Sequence, residues 1–353
     1  MKLLNTARME AADLERLRGL FSSVVHGGWG FDKKKLTETQ MAEAIAGSDA
    51  ALLEFEPVTA RVLDAAGGRL RFIACCRNEP EASVDIEAAT RRGIPVLTGA
   101  GRNAVSVAEF NFGMLLSLAR HIGRTDYLLK HTDAITGIAY SRNDQLKGPS
   151  EWSLDEQAPF NRFGGPELHG KKLGIVGFGT IGRVVARMGR AFGMEPLVFD
   201  PYVTAEAIAA AVEGTKSSLE ELMSEADFVS LHAKVTPETT GLIGSGALAL
   251  MKRSAYLVNT ARAAIMDYDA LYRALAERRI AGAALDVYPE EPIGADNPFL
   301  RLDNVVLTPH LAGASHDIPK HHSRLVADDI LRLMQGERPH RIANPEVLEA
   351  WRP

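Results

Sequence analysis

Short apolar runs alternate with amphipathic stretches over most of the chain, the pattern of a parallel β/α architecture. In the first third, residues 51–55, 70–76 and 95–99 are apolar runs of strand length, separated by helical stretches such as 84–92. Residues 103–120, NAVSVAEFNFGMLLSLAR, keep helical spacing of their apolar positions and predict a long connecting helix. Across 131–165 the pattern breaks. Polar residues, prolines and glycines there surround isolated Tyr140, Trp152, Phe160 and Phe163, as in an extended arm that could embrace a partner subunit. Alternation resumes with residues 173–176 and the apolar run ahead of Asp200, then continues through 227–232, 255–260, 282–288 and 304–308. These make six strands of a doubly wound sheet. A final amphipathic helix, Ile318–Met334, is expected to return to the first domain, which makes that domain discontinuous: residues 1–104 with 310–353, around a second domain of 105–309. Two β/α domains in tandem imply a cleft, the usual place for a ligand.

The stretch KLGIVGFGTIGRVVARMGRAFGMEPLVFD, residues 172–200, contains a strand, a glycine-rich turn, a helix and a second strand with an acidic end. Gly177, Gly179 and Gly182 form the G-x-G-x-x-G turn through which a pyrophosphate approaches the backbone amides at a helix N-terminus, with Thr180 and Ile181 between them. Asp200 stands where a carboxylate accepts hydrogen bonds from ribose hydroxyls and repels a 2′-phosphate. No Lys or Arg occurs between Asp200 and Lys216, so NAD is expected rather than NADP.

Composition narrows the class without naming it. At 353 residues, 46% hydrophobic and 24% charged, the chain has room for two cored domains. A formal net charge of −5 offers no general footprint for nucleic acid or an anionic membrane. The first residues carry charge throughout and lack a signal-peptide core, and no run approaches membrane-spanning length, so a cytoplasmic location is expected. Cys75 and Cys76, adjacent in an apolar run, suit neither a disulfide scaffold nor a metal site and are expected to be reduced; no metal is expected.

Chemistry should come from groups at the carboxyl ends of the strands. Arg262, Glu291 and His310 follow three successive strands, in NTARAAIMD, LDVYPEEP and LTPHLAG. Hydride transfer between nicotinamide and a carbinol carbon needs a group that exchanges a proton near neutral pH and a fixed cation for a carboxylate and carbonyl; His310 and Arg262 meet those needs. A carboxylate beside the imidazole would favour its protonated form and fix its orientation, the natural role for Glu291. Taken singly, each could be a loop histidine, a surface ion pair or a solvated acid. Asp286 could hydrogen-bond the cofactor carboxamide or cap a strand, and His232, Thr236 and Thr260, at other strand ends, are further candidates for lining the cofactor.

These residues also carry a resemblance. The segments VDIEAATRRGIPVL, SVAEFNFGMLLSLAR, ELHGKKLGIVGFGTIG, DFVSLHAKVTPETTGLIG, ALMKRSAYLVNTARAAIMDYDAL, IAGAALDVYPEEP and TPHLAG occur in the order found in D-isomer-specific 2-hydroxyacid dehydrogenases, and the likeness covers roughly residues 73–313. It implies an α/β fold of two doubly wound domains, a Rossmann NAD-binding domain and a flavodoxin-like substrate domain, with NAD at the cleft. It also implies an Arg, Glu, His set at Arg262, Glu291 and His310, and a homodimer formed through the nucleotide domain and its arm. The chain departs from the family pattern after the third strand of the first domain. A glycine-rich stretch usually holds the substrate carboxylate there, whereas this chain has Arg77-Asn78-Glu79-Pro80-Glu81-Ala82-Ser83. Arg77 or Asn78 would then replace amide donors with side-chain donors. Ala263 after Arg262, and Lys234 where proline is common, are smaller departures.

The expected activity is therefore NAD-dependent interconversion of a D-2-hydroxy acid and its 2-keto acid, on substrates resembling 3-phosphoglycerate, glyoxylate, hydroxypyruvate or a sugar acid. Two alternatives share the scaffold: a phosphite-type dehydrogenase, and an NAD-sensing dimeric binding protein of the corepressor type.

Overall fold

The computed structural model describes residues 1–135, 156 and 158–353. Most of the stretch expected to form an arm, including Tyr140 and Trp152, lies outside the described residues. The chain divides into two compact units, Met1–Asn103 with Ala314–Pro353, and Ala104–Gly313. His310 and the turn up to Gly313 thus belong to the second unit, not to the discontinuous domain in which the sequence pattern placed them.

The first unit is built on five parallel strands, β1 (Lys2–Asn5), β2 (Ser23–His26), β3 (Ala50–Leu53), β4 (Phe72–Cys75) and β5 (Val96–Thr98), in the order β2-β1-β3-β4-β5. That order is the flavodoxin-like doubly wound arrangement. β3 and β4 are buried at every residue, because helices cover both faces of a parallel sheet, and so they read as unbroken apolar runs. The hydrophobic pattern did not reveal β1 and β2: β1 is four residues at the chain start, and β2 is an edge strand exposed at each position. Cys75 and Cys76 are buried free thiols, and burial pushes Cys75 up to about 11.

Helix Ile318–Met334 closes one face of this sheet, placing Val326, Ala327, Ile330 and Leu333 against Leu3, Leu52, Phe72 and Leu97. Beyond it, the buried Asn344 accepts from Val96 N (2.8 Å) and donates to Ile94 O (2.9 Å) and Thr90 Oγ1 (3.0 Å), tying the C-terminal segment to β5.

The second unit has seven parallel strands, β6 (Lys172–Val176), β7 (Glu195–Phe199), β8 (Thr215–Lys216), β9 (Phe228–Leu231), β10 (Tyr256–Asn259), β11 (Gly282–Leu285) and β12 (Val305–Leu307). Their order is β12-β11-β10-β9-β6-β7-β8. Six were legible as apolar runs; the two-residue β8 was too short to show a pattern. Winding reverses between β6 and β9, which leaves a crevice at the carboxyl ends of these two strands, the switch point where doubly wound sheets bind nucleotides. The long helix expected over 103–120 spans Ala104–Ala119 and packs Ala108, Phe112 and Leu115 with Leu173, Ile175, Val185 and Ala186. A second apolar layer, including Leu222, Met223, Leu248, Leu271 and Leu275, completes the three-layer sandwich. Among the described residues no helix is long and apolar enough to cross a membrane.

Replacing Asn344 with Ala should remove three hydrogen bonds, two of them buried, and leave Val96 N without an acceptor. We expect a loss of about 2–3 kcal/mol of unfolding free energy, read from a guanidinium titration. An unchanged midpoint would mean that the C-terminal segment is not held at this point.

Candidate active site

The nucleotide crevice is shaped first by three glycines. β6 ends at Val176 and a helix begins at Thr180 (Thr180–Ala191). Gly177 adopts φ +96°, and a Cβ there would lie 2.6 Å from Ala233 N, on the segment that follows β9. A Cβ on Gly182 would come within 2.1 Å of Gly177 O, so the helix can lie this close to the turn only without a side chain. Gly179 differs: a Cβ there would meet nothing within 4 Å, and no side chain caps the helix that it begins. The helix N-terminus at Thr180 and Ile181 is therefore open to an anionic group, as a pyrophosphate requires.

Asp200, at the end of β7, is bonded into this turn. Its Oδ2 accepts from Phe178 N (2.8 Å) and its Oδ1 from Tyr202 N (2.9 Å); each oxygen keeps a lone pair for ribose hydroxyls. Lys216, distant in sequence, folds back to donate to Val203 O at 2.7 Å, three residues beyond Asp200. Thr260 follows β10, and its buried Oγ1 has no hydrogen-bond partner among the described residues, as expected of a hydroxyl that awaits a ligand. Thr236 is bound into a local turn: its N–H donates to Thr239 Oγ1 (2.8 Å), and its carbonyl accepts from Thr240 N (3.0 Å). His232, the first residue beyond β9, has its N–H on Val176 O (2.7 Å), and burial pushes its imidazole down to about 3, so the ring is neutral. An open helix N-terminus, a tethered acidic strand end and an orphaned hydroxyl at one crevice all fit a dinucleotide.

The three candidate reactive groups converge in the same unit. Asn259, the last residue of β10, shapes the turn ahead of Arg262 by accepting from Ala261 N (3.0 Å) and donating to Arg262 O (3.2 Å). Arg262 is exposed, with Nη1 on Ala261 O at 2.8 Å. Glu291 has both carboxylate oxygens engaged, Oε1 by Tyr288 N (2.9 Å) and Oε2 by His310 Nδ1 (2.7 Å). Burial raises the Glu291 carboxyl, but the bonds from His310 and Tyr288 N, with the charges of His310 and Arg262, hold it below its ordinary value. Glu291 is thus ionised, His310 Nδ1 donates to it, and Arg262 is close enough to stabilise its charge.

His310 itself sits at φ +56°, a left-handed conformation uncommon for a residue with a side chain. Asp286 accounts for that geometry. It is fully buried; Oδ1 accepts from Thr308 Oγ1 (2.6 Å) and Leu311 N (2.8 Å), and Oδ2 from Ala312 N (2.8 Å). Asp286 thus holds the turn that carries His310, a role that neither sequence reading of it named. Tyr288 adds to this support, its hydroxyl lying 2.9 Å from Leu285 O and 3.0 Å from Thr308 O. Sequence reasoning missed Tyr288, Thr308 and Asn259; the only signal was their place within the motifs LDVYPEEP, LTPHLAG and NTARAAIMD.

In the first unit, Arg77 and Asn78 follow β4. The Asn78 amide is engaged locally, donating to Asn103 Oδ1 (2.8 Å) and accepting from Gly101 N (3.1 Å). The Arg77 guanidinium lies over the Phe55 ring at 5.2 Å, and Trp29 meets that ring edge-on at 5.2 Å.

Comparison with known proteins agrees with this geometry. The pattern described as "D-isomer specific 2-hydroxyacid dehydrogenase, NAD binding domain" matches residues 112–312. A putative 2-hydroxyacid dehydrogenase, YoaD, from Bacillus subtilis is 34% identical over 96% of this chain and 92% of its own length. A D-3-phosphoglycerate dehydrogenase from Methanocaldococcus jannaschii is 37% identical over 74% of this chain; the match spans 45% of that longer protein. The crystal structure of a Thermus thermophilus protein superposes with a TM-score of 0.69 at 30% identity, covering 97% of this chain and 100% of that one. The chain belongs to the D-isomer specific 2-hydroxyacid dehydrogenase family, and its dinucleotide is NAD.

Exchanging Asp286 for Asn would set an amide N–H against the donor from Ala312 or those from Thr308 and Leu311. The expected cost is about 1–3 kcal/mol of stability, with turnover at saturating NADH falling about tenfold or more as His310 loses its fixed position. Thermal melts and steady-state kinetics measure both; unchanged turnover would show that the turn holds without the carboxylate.

Proposed function

We propose that this protein interconverts a D-2-hydroxy acid and its 2-keto acid through His310, Glu291 and Arg262. The carrying observation is the 2.7 Å His310–Glu291 pair beside Arg262, in the unit whose sheet also bears the glycine turn. NAD supplies the hydride acceptor in one direction and, reduced, the hydride donor in the other. Gly177, Gly179, Thr180, Ile181 and Gly182 would hold its pyrophosphate and Asp200 its ribose. His232, Thr236 and Thr260 would line the crevice. Asp286 supports the reactive turn.

Glu291 keeps the proton of His310 on Nδ1, so Nε2 is the nitrogen that exchanges a proton with the substrate oxygen. In reduction Nε2–H protonates the carbonyl oxygen; in oxidation neutral Nε2 removes the hydroxyl proton. Arg262 supplies the cation that holds the carboxylate and polarises the carbonyl. Arg77 is the candidate substrate-binding donor of the loop after β4, where its guanidinium lies over the Phe55 ring. Asn78 organises that loop, because both ends of its amide are already bonded. The protein acts as a cytoplasmic homodimer in this reading, supported by family resemblance and by the exposed apolar side chains Ile122, Tyr127 and Leu129 on one helix of the nucleotide unit.

Oxidation of NADH against a panel of keto acids, with NADPH in parallel, tests the proposal. Turnover of a phosphorylated hydroxypyruvate, glyoxylate, hydroxypyruvate or a keto sugar acid with NADH preferred is expected; no turnover of any 2-keto acid overturns it. His310→Gln should lower turnover about 10²–10⁴-fold and leave the NADH dissociation constant nearly unchanged. Arg77→Ala should raise KM for the best substrate about tenfold with little change in kcat, and an unchanged KM would make the stack on Phe55 purely structural.

A further inference from the structure

Beneath the nucleotide crevice lies a line of polar side chains that the proposed reaction does not use. Asn111 is fully buried in helix Ala104–Ala119, where the other buried residues are apolar. Its Nδ2 donates to Ser230 Oγ at 2.7 Å, and Ser230, fully buried in β9, lies 2.8 Å from His232 Nε2. We infer that Asn111 and Ser230 act as a relay that fixes His232 as a neutral imidazole with its proton on Nδ1, so that the ring offers a hydrogen-bond donor, without charge, to the bound nucleotide. The inference rests on the reading of His232 as a nucleotide-lining residue.

The direction of the relay follows from the donor inventory. An amide nitrogen can only donate, so Ser230 Oγ accepts from Asn111. The hydroxyl's one proton goes to its other close partner, His232 Nε2, because accepting from both neighbours would leave that proton without a side-chain acceptor inside a buried site. The ring proton is therefore on Nδ1, the nitrogen that faces away from Ser230. An amide among apolar side chains destabilises the helix packing unless it is used, and Asn111 Oδ1 has no partner among the described residues. Its contact with Ser230 is the use that the geometry shows.

Position makes the ring relevant. β9 borders the switch point opposite β6, and a Cβ on Gly177 would stand 2.8 Å from the His232 carbonyl carbon, so His232 adjoins the phosphate turn. Burial disfavours a charged ring there, in agreement with the relay. A ring locked in this way keeps proton exchange with His310 and contributes only a directed N–H.

Long-range ¹H–¹⁵N spectra of the full-length, histidine-labelled protein at pH 7 test this directly. The expected His232 pattern is a neutral ring with protonated Nδ1 and bare Nε2; an Nε2–H or imidazolium pattern overturns the inference. In Ser230→Ala the ring should move to mixed tautomers and the NADH dissociation constant should rise about three- to tenfold, while Ser230→Thr should restore both. A Ser230→Ala variant with unchanged ring pattern and NADH affinity would also refute the relay. Failure of the wild-type protein to reduce any keto acid would remove the proposed activity but would not alter the tautomer, so the two failures are distinguishable.

Discussion

The arrangement around His310 depends on one buried carboxylate. Asp286, the first residue beyond β11, gathers a hydroxyl and two backbone amides from the segment that follows β12, and so holds His310 in a left-handed turn. Such a conformation costs energy unless its surroundings over-determine it. Here the turn amides have no other acceptor as good as an ionised carboxylate, and the carboxylate, taken out of water, needs several donors. Each side satisfies the other. Glu291 then meets an imidazole already held in place, and Tyr288 N completes its second oxygen.

Parallel topology explains why these groups meet at all. Every strand of the second sheet runs in one direction, so the segments after β6, β9, β10, β11 and β12 all emerge at one edge. The glycine turn, His232, Thr260, Arg262, Asp286 and His310 are consequences of that shared edge. Glycine serves it twice by omission: Gly177 lets the phosphate turn approach the segment after β9, and Gly182 lets the helix approach the turn. Electrostatics then sort the groups. Glu291 is held ionised between His310 and Arg262, whereas His232 is kept neutral by burial.

Legibility in the sequence varied with how local each cause was. The glycine turn with Asp200 was readable because strand, turn, helix and acid are contiguous in the chain. Arg262, Glu291 and His310 were readable as reactive residue types after successive strands, and the family match to residues 112–312 covers all three. Asp286 was ambiguous because its partners lie more than twenty residues away. The link from Asn111 to His232 could not be read, since in the sequence Asn111 is one of several polar residues in the helix, beside Ser106, Glu109 and Ser117, and only packing shows that it is buried. The gap between Asp200 and Lys216 suggested local isolation, yet the fold returns Lys216 to Val203. β2 went unseen because an exposed edge strand carries no buried-face pattern.

The sequence by itself determined the β/α alternation, the dinucleotide turn, the choice of NAD and the candidates for the reactive side chains, because each depends on residue type and short-range spacing. Only the tertiary structure decided which atoms meet: that Glu291 grips Nδ1 of His310, that Asp286 serves the reactive turn, that Asn78 is already engaged while Arg77 lies across Phe55, and which nitrogen of His232 is bonded to Ser230. These pairings join segments far apart in the chain, and hydrogen-bond direction and burial at a shared sheet edge are properties of the packed molecule that no local pattern encodes.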